Sequence, residues 1–147
     1  MQSTSEQCAR EVLEVVPLVM RVIRSQFRKY GAPELSVPQF RTLHFLSQHR
    51  GASLSKVAEY IGLMLPSMSA LVDGLVARNF AIRRTSPDDR RRMTLTLTER
   101  GQATLRSARK ATQTYLAEEL NHLTQADRVT IIKAMQALRP IFTEKVT

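Results

Sequence analysis

At 147 residues with 43% hydrophobic residues, the chain is long enough to bury one ordinary core, which excludes a disordered chain. Its 22 Lys and Arg against 13 Asp and Glu give a formal charge of +9, which favours a polyanionic partner, either nucleic acid or an anionic membrane surface. A lone cysteine excludes an internal disulfide framework, and His44, His49 and His122 never pair at i, i+4, so no metal site or other cofactor is expected.

From about Glu6 to Tyr30, Val12, Val15, Val16, Val19, Met20, Ile23 and Phe27 step by three and four, the period of a long amphipathic helix. Pro17 is expected to kink it or split off its first turns, and Gly31 and Pro33 to end it. Its polar face is basic: Arg10, Arg21, Arg24, Arg28 and Lys29. Ser36 is placed to cap a second helix that tolerates Pro38 in its first turn, buries Phe40, Leu43, Phe45 and Leu46, and closes at Gly51. Ser53 or Ser55 starts a short third helix through Val57, Ala58 and Ile61 that stops at Gly62. Another helix begins at Pro66, and a short helix, a tight turn and a second helix is the helix-turn-helix layout.

In the helix from Pro66 to Arg78, Met68, Leu71, Val72 and Leu75 form the inward face. Ser67, Ala70, Gly74 and Ala77, nearly all small, are read as the outward face, flanked by Ser69 and Asp73. Asn79 tolerates the left-handed conformation of a helix stop. Phe80 to Arg84 read as a strand, Ser86 to Asp89 as turn formers, and Met93, Leu95 and Leu97 alternate with Thr94, Thr96 and Thr98 as a second strand. Between Arg78 and Arg100 stand seven Arg and three acids on a segment that alternates like a strand rather than forming a basic amphipathic helix, so nucleic acid is preferred to membrane. A recognition helix followed by a basic wing points to double-stranded DNA.

Thr98 can cap the next helix, in which Gly101, Leu105, Ala108, Thr112, Tyr115, Leu116 and Leu120 keep helical spacing. Thr124 and Asp127 resemble a capping box for a last helix through Val129, Ile132, Met135, Leu138 and Phe142, whose final turns Pro140 should distort or end. The first helix and the last two carry more apolar surface than a small winged-helix core can hide, so a second subunit is expected to cover it. No apolar run approaches the roughly 18 residues that span a bilayer, and the start, MQSTSEQCAR, has no hydrophobic signal region, so a cytoplasmic protein without membrane attachment is expected. No Ser/His/Asp grouping, carboxylate pair or phosphate-cradling Gly loop is visible, so no enzymatic activity is expected.

The stretch SPDDRRRMTLTLTERG, residues 86–101, resembles the MarR-type winged helix-turn-helix regulators, with LSVPQFRTLHFL (35–46), LSKVAEYIGL (54–63) and SALVDGLVARNFAIRR (69–84) in support. The resemblance covers nearly the whole chain. It implies a mainly α protein: residues 35–98 a winged helix-turn-helix with a small two- or three-stranded β-wing, residues 1–34 and 99–147 a helical dimerisation region. It also implies a homodimer that binds a palindromic operator as a transcriptional regulator, expected to be a repressor, and that a small aromatic or anionic effector releases. The helix departs from the family pattern: Gly74 stands where Arg is usual, Ala70 where a basic residue is common, Val76 where Glu is common, Asn79 where Gly is usual, and Met64 where Ser often caps.

For DNA contact the candidates are Ser55 and Lys56, Ser67 and Ser69, Arg83 and Arg84, and the loop residues Asp89, Arg90, Arg91 and Arg92. Arg91 is the expected minor-groove reader, oriented by a charge-assisted bond from Asp89. Arg90 and Arg92 are expected on phosphates. Arg21, Arg24, Arg41 and His44 are candidates for an effector site. Two rivals stand beside this reading: a redox sensor on the same fold using Cys8, and a winged-helix module serving protein contacts with weak DNA binding. With Gly74 and Ala70 outward the helix offers few donors, so the wing is expected to supply most of the affinity.

Overall fold

In a computed structural model, residues 4–30, 35–89 and 91–143 are described. Gly31, Pro33 and Arg90, to which the sequence reading assigned a helix stop and a phosphate contact, lie outside them. The chain forms two compact units, Met1–Thr112 and Gln113–Thr147.

In the first unit, α1 (Ser5–Tyr30) is one helix that runs through Pro17. The first turns are not split off, because the carbonyl that Pro17 leaves without a donor belongs to Leu13, which is 75% exposed and can be solvated. Next comes α2 (Val37–Gln48), whose capping box is complete: Ser36 Oγ accepts from the Gln39 amide at 3.3 Å, and Gln39 Oε1 accepts from the Ser36 amide at 2.9 Å. Helix α2 ends at Gln48 with His49 as its C-cap, three residues before the predicted close at Gly51, which itself turns with φ +76° into β1 (Ala52–Ser53).

Ser53, not Ser55, caps α3 (Leu54–Ile61), accepting from the Lys56 amide at 3.2 Å, and Gly62 ends it in the left-handed conformation. Helix α4 (Leu65–Ala77) starts one residue earlier than predicted and has no side-chain cap, since Met64 occupies the N-cap. Asn79, at φ +62°, turns the chain into β2 (Ala81–Thr85). Strand β3 (Met93–Leu97) pairs antiparallel with β2 and, on its other edge, with β1, giving the sheet order β1-β3-β2. Phe80, Leu43, Met68, Leu75, Leu95, Val57 and Val72 are fully buried between this sheet and α2, α3 and α4.

Helix α5 (Glu99–Leu120) is pinned where α4 hands over to the sheet. Thr98 Oγ1 donates to the Asn79 carbonyl at 2.6 Å and accepts from the Gly101 amide at 3.0 Å. A Cβ on Gly101 would overlap the Phe80 carbonyl oxygen, so only glycine lets the two backbones come this close.

In the second unit, α6 (Gln125–Thr143) opens at Thr124, whose Oγ1 accepts from the Asp127 amide at 3.1 Å and donates to the Asp127 carboxylate at 2.7 Å. It runs through Pro140 to Thr143, and the carbonyl four residues back, at Gln136, is on an exposed residue. No single described helix is long and apolar enough to cross a membrane.

Candidate nucleic-acid interface

The wing loop is set by backbone bonds. Ser86 N donates to the Arg92 carbonyl at 2.8 Å, and Arg92 N to the Asp89 carbonyl at 2.9 Å. Asp89 Oδ1 accepts from the Arg91 amide at 2.9 Å, the two-residue reach of an aspartate turn. The charge-assisted bond expected between Asp89 and Arg91 is therefore present and runs to the Arg91 backbone amide, so the turn aims that residue. Arg84, Arg91 and Arg92 are exposed and have no ion-pair partner among the described residues.

Arg83 is different. Its Nη1 lies 2.6 Å from Asp73 Oδ1 and its Nη2 3.4 Å from the Ser69 carbonyl, so the guanidinium ties the wing to α4. Its Nε is buried with no partner among the described residues. Alternation along β2 sends this arginine under the sheet edge toward α4 and leaves Arg84 in solvent.

A groove of about 750 Å³ opens between the N-termini of α3 and α4 and the wing. Ser55, Ser69, Arg83, Asp89, Arg91 and Arg92 line it, so the fold gathers six of the sequence-derived DNA candidates around one opening. Lys56, Ser67 and Arg84 are exposed but lie outside its lining. Leu65, Pro66 and Met93, apolar residues outside the set of candidates drawn from the sequence, share this groove. The first turn of α4 presents amides without a side-chain cap, the condition under which a helix end receives an anion.

Gly74 does not face outward. A Cβ there would come 3.1 Å from Gln39 Nε2, and Gln39 is buried and held by the α2 capping box. The missing arginine at this position is therefore a gap filled by α2 and not an empty place on the exposed face.

A second cavity, of about 380 Å³, lies between α1 and α2 and reaches Tyr60 and Leu105. Phe27 and Phe40 stack at 5.5 Å, and Arg41 stands 6.0 Å from the Tyr60 ring. Arg24, Arg41 and His44 line the cavity as the sequence suggested, whereas Arg21 does not; Arg28 and Tyr60 were not foreseen. Burial, and secondarily the charge of Arg109, lower the pKa of His44. Cys8 is exposed on α1, and among the described residues no three of His, Cys, Asp and Glu converge as metal ligands would.

The MarR family sequence model matches residues 34–92, which hold α2, α3, α4, β2 and the wing loop. The HTH-type transcriptional regulator YfiV of Bacillus subtilis is 26% identical over 132 residues, covering 87% of this chain and 82% of that protein. The crystal structure of RV1404 from Mycobacterium tuberculosis superposes with a TM-score of 0.81 at 23% identity, covering 96% of this chain and 95% of that one. FabT from Streptococcus pneumoniae, solved in complex with DNA, gives 0.69 at 15% identity, covering 98% and 100%.

Proposed function

We propose that this chain is a transcriptional regulator of the MarR family, whose sequence model its residues 34–92 match, that it represses transcription as a homodimer seated on a palindromic operator, and that a small aromatic anion releases it. The groove carries this reading. The uncapped start of α4 and Arg91 and Arg92, which have no ion-pair partner among the described residues, face one opening, and both kinds of group favour phosphate and groove edges over neutral surfaces. FabT, of like fold, is a DNA-bound example. A cytoplasmic location goes with a DNA partner.

Dimerisation is supported by apolar surface that one copy leaves uncovered. Helix α1 exposes Leu13, Val15 and Leu18, and α6 exposes Ile132, Met135, Ile141 and Phe142. Two-fold symmetry in the protein then requires an inverted repeat in the DNA. The cavity between α1 and α2 supports the effector, because stacked rings and Arg24, Arg28 and Arg41 suit an aromatic ring bearing a negative charge.

Duplex binding measured over a range of salt concentrations tests the proposal. The wild type should bind with a steep negative slope of log K on log salt, and Arg91→Ala should flatten that slope by about 0.9. Equal slopes for the two proteins would remove the wing from the interface.

A further inference from the structure

The helix that this reading places in the major groove has almost nothing with which to hydrogen-bond a base. Leu65–Ala77 contains no Lys, Arg, His, Asn or Gln. With Met68, Val72 and Leu75 buried, the helical period puts Pro66, Ala70 and Ala77 on the opposite side, and all three are exposed. The one charged side chain is Asp73, which could accept from the amino group of cytosine, but Arg83 holds its carboxylate at 2.6 Å. Gly74 is turned toward Gln39. Only the hydroxyls of Ser67 and Ser69 remain, and these suit any base. At the helix start, Met64 is 78% and Leu65 50% exposed.

Apolar side chains have one specific partner in the major groove, the C5-methyl group of thymine. We propose that this helix selects its operator by thymine methyl groups, with Ala70 and Pro66 packed on them and Met64 and Leu65 shielding them from water. Resting on the DNA-binding reading above, the inference adds which bases the helix reads. Guanine is left unread by α4, because no guanidinium, amide or ammonium group stands between Leu65 and Ala77. The backbone is held meanwhile by the wing arginines, which take no part in this discrimination.

Duplexes selected from a random library by the full-length protein give the site, and each thymine in it is then replaced singly by deoxyuridine, which removes only the methyl group. At one or more thymines in each half-site the replacement should weaken binding about fourfold, the factor carried by burial of a single methyl group. At the same positions 5-methylcytosine should retain more affinity than cytosine. Ala70→Ser should abolish the thymine-over-uracil preference, whereas Arg91→Ala should weaken both duplexes alike and keep it. Thymine and deoxyuridine binding equally at every position would overturn the proposal while leaving DNA binding intact. Failure to select any duplex would overturn the DNA-binding reading, and this inference with it.

Discussion

Leu65–Ala77 and the hairpin from Ala81 to Leu97 border the same groove with different chemistry. The helix carries two hydroxyls, of which only that of Ser69 lines the groove, an ion-paired carboxylate, and exposed Pro66 and Ala70. The hairpin carries Arg91 and Arg92 in the groove lining and Arg84 outside it, all three exposed and without an ion-pair partner among the described residues. Charge placed on a hairpin loop reaches the phosphates without being buried, so it contributes affinity that falls with salt. Small apolar groups on a rigid helix contribute little affinity but depend on close fit. On the reading proposed above, holding DNA and choosing DNA fall to different elements of one surface. Arg83 shows the boundary between them, because it sits on the hairpin yet spends its charge on the helix.

The largest expected effect would remove the comparison altogether. Gly101→Ala drives a methyl group into the Phe80 carbonyl, at the junction from which both α4 and β2 are positioned. It should cost about 3 kcal/mol, the upper end for overpacking, seen as a fall of about 10 °C in Tm. Duplex affinity should fall with it for every sequence.

A smaller effect separates two neighbours on β2. Arg84→Ala should flatten the salt slope by about 0.9, as loss of one phosphate contact does. Arg83→Ala should leave that slope nearly unchanged, since Asp73 already matches its charge, and should lower stability by at most about 1 kcal/mol because Asp73 is 62% exposed. Equal slope changes for the two would put Arg83 on the DNA as well and blur the division between hairpin and helix.

The smallest effect should spare both elements. The pKa of His44 is lowered below the ordinary 6.5, by burial first and by Arg109 second. Below 6.5 the unfolded chain therefore binds more protons than the folded one, and stability falls as pH drops through that window. His44→Gln should match the wild-type Tm above pH 6.5 and exceed it slightly below, with no change in the salt slope at either pH. A shift of the slope would connect the cavity directly to the DNA surface.

Much of this was legible before any coordinates. Ser36, Gly62, Asn79, Thr98 and Thr124 mark element ends where the sequence placed them, because caps and left-handed stops depend on bonds within four residues or so. The alternation of β3 put Leu95 and Leu97 inward. Other features left no local signal. The two residues of β1 are too few to show a period, and become a strand only because β3 offers an edge. Pro17 and Pro140 read as helix breaks, yet both helices continue where the freed carbonyl belongs to an exposed residue.

The roles of Gly74 and Arg83 needed the assembled fold. Viewed along one helix, Gly74 belongs to the outward side; only the passage of α2, with Gln39 fixed by Ser36, turns it inward. Viewed along one strand, Arg83 and Arg84 are equal cations; only the approach of α4 gives one of them Asp73. The sequence by itself determined the order of elements, the basic wing and the absence of long polar side chains from the recognition helix, since these depend on residue type and near neighbours. Tertiary structure decided which charges are spent inside the protein and which are left exposed, because pairing depends on distances between elements that no local period encodes.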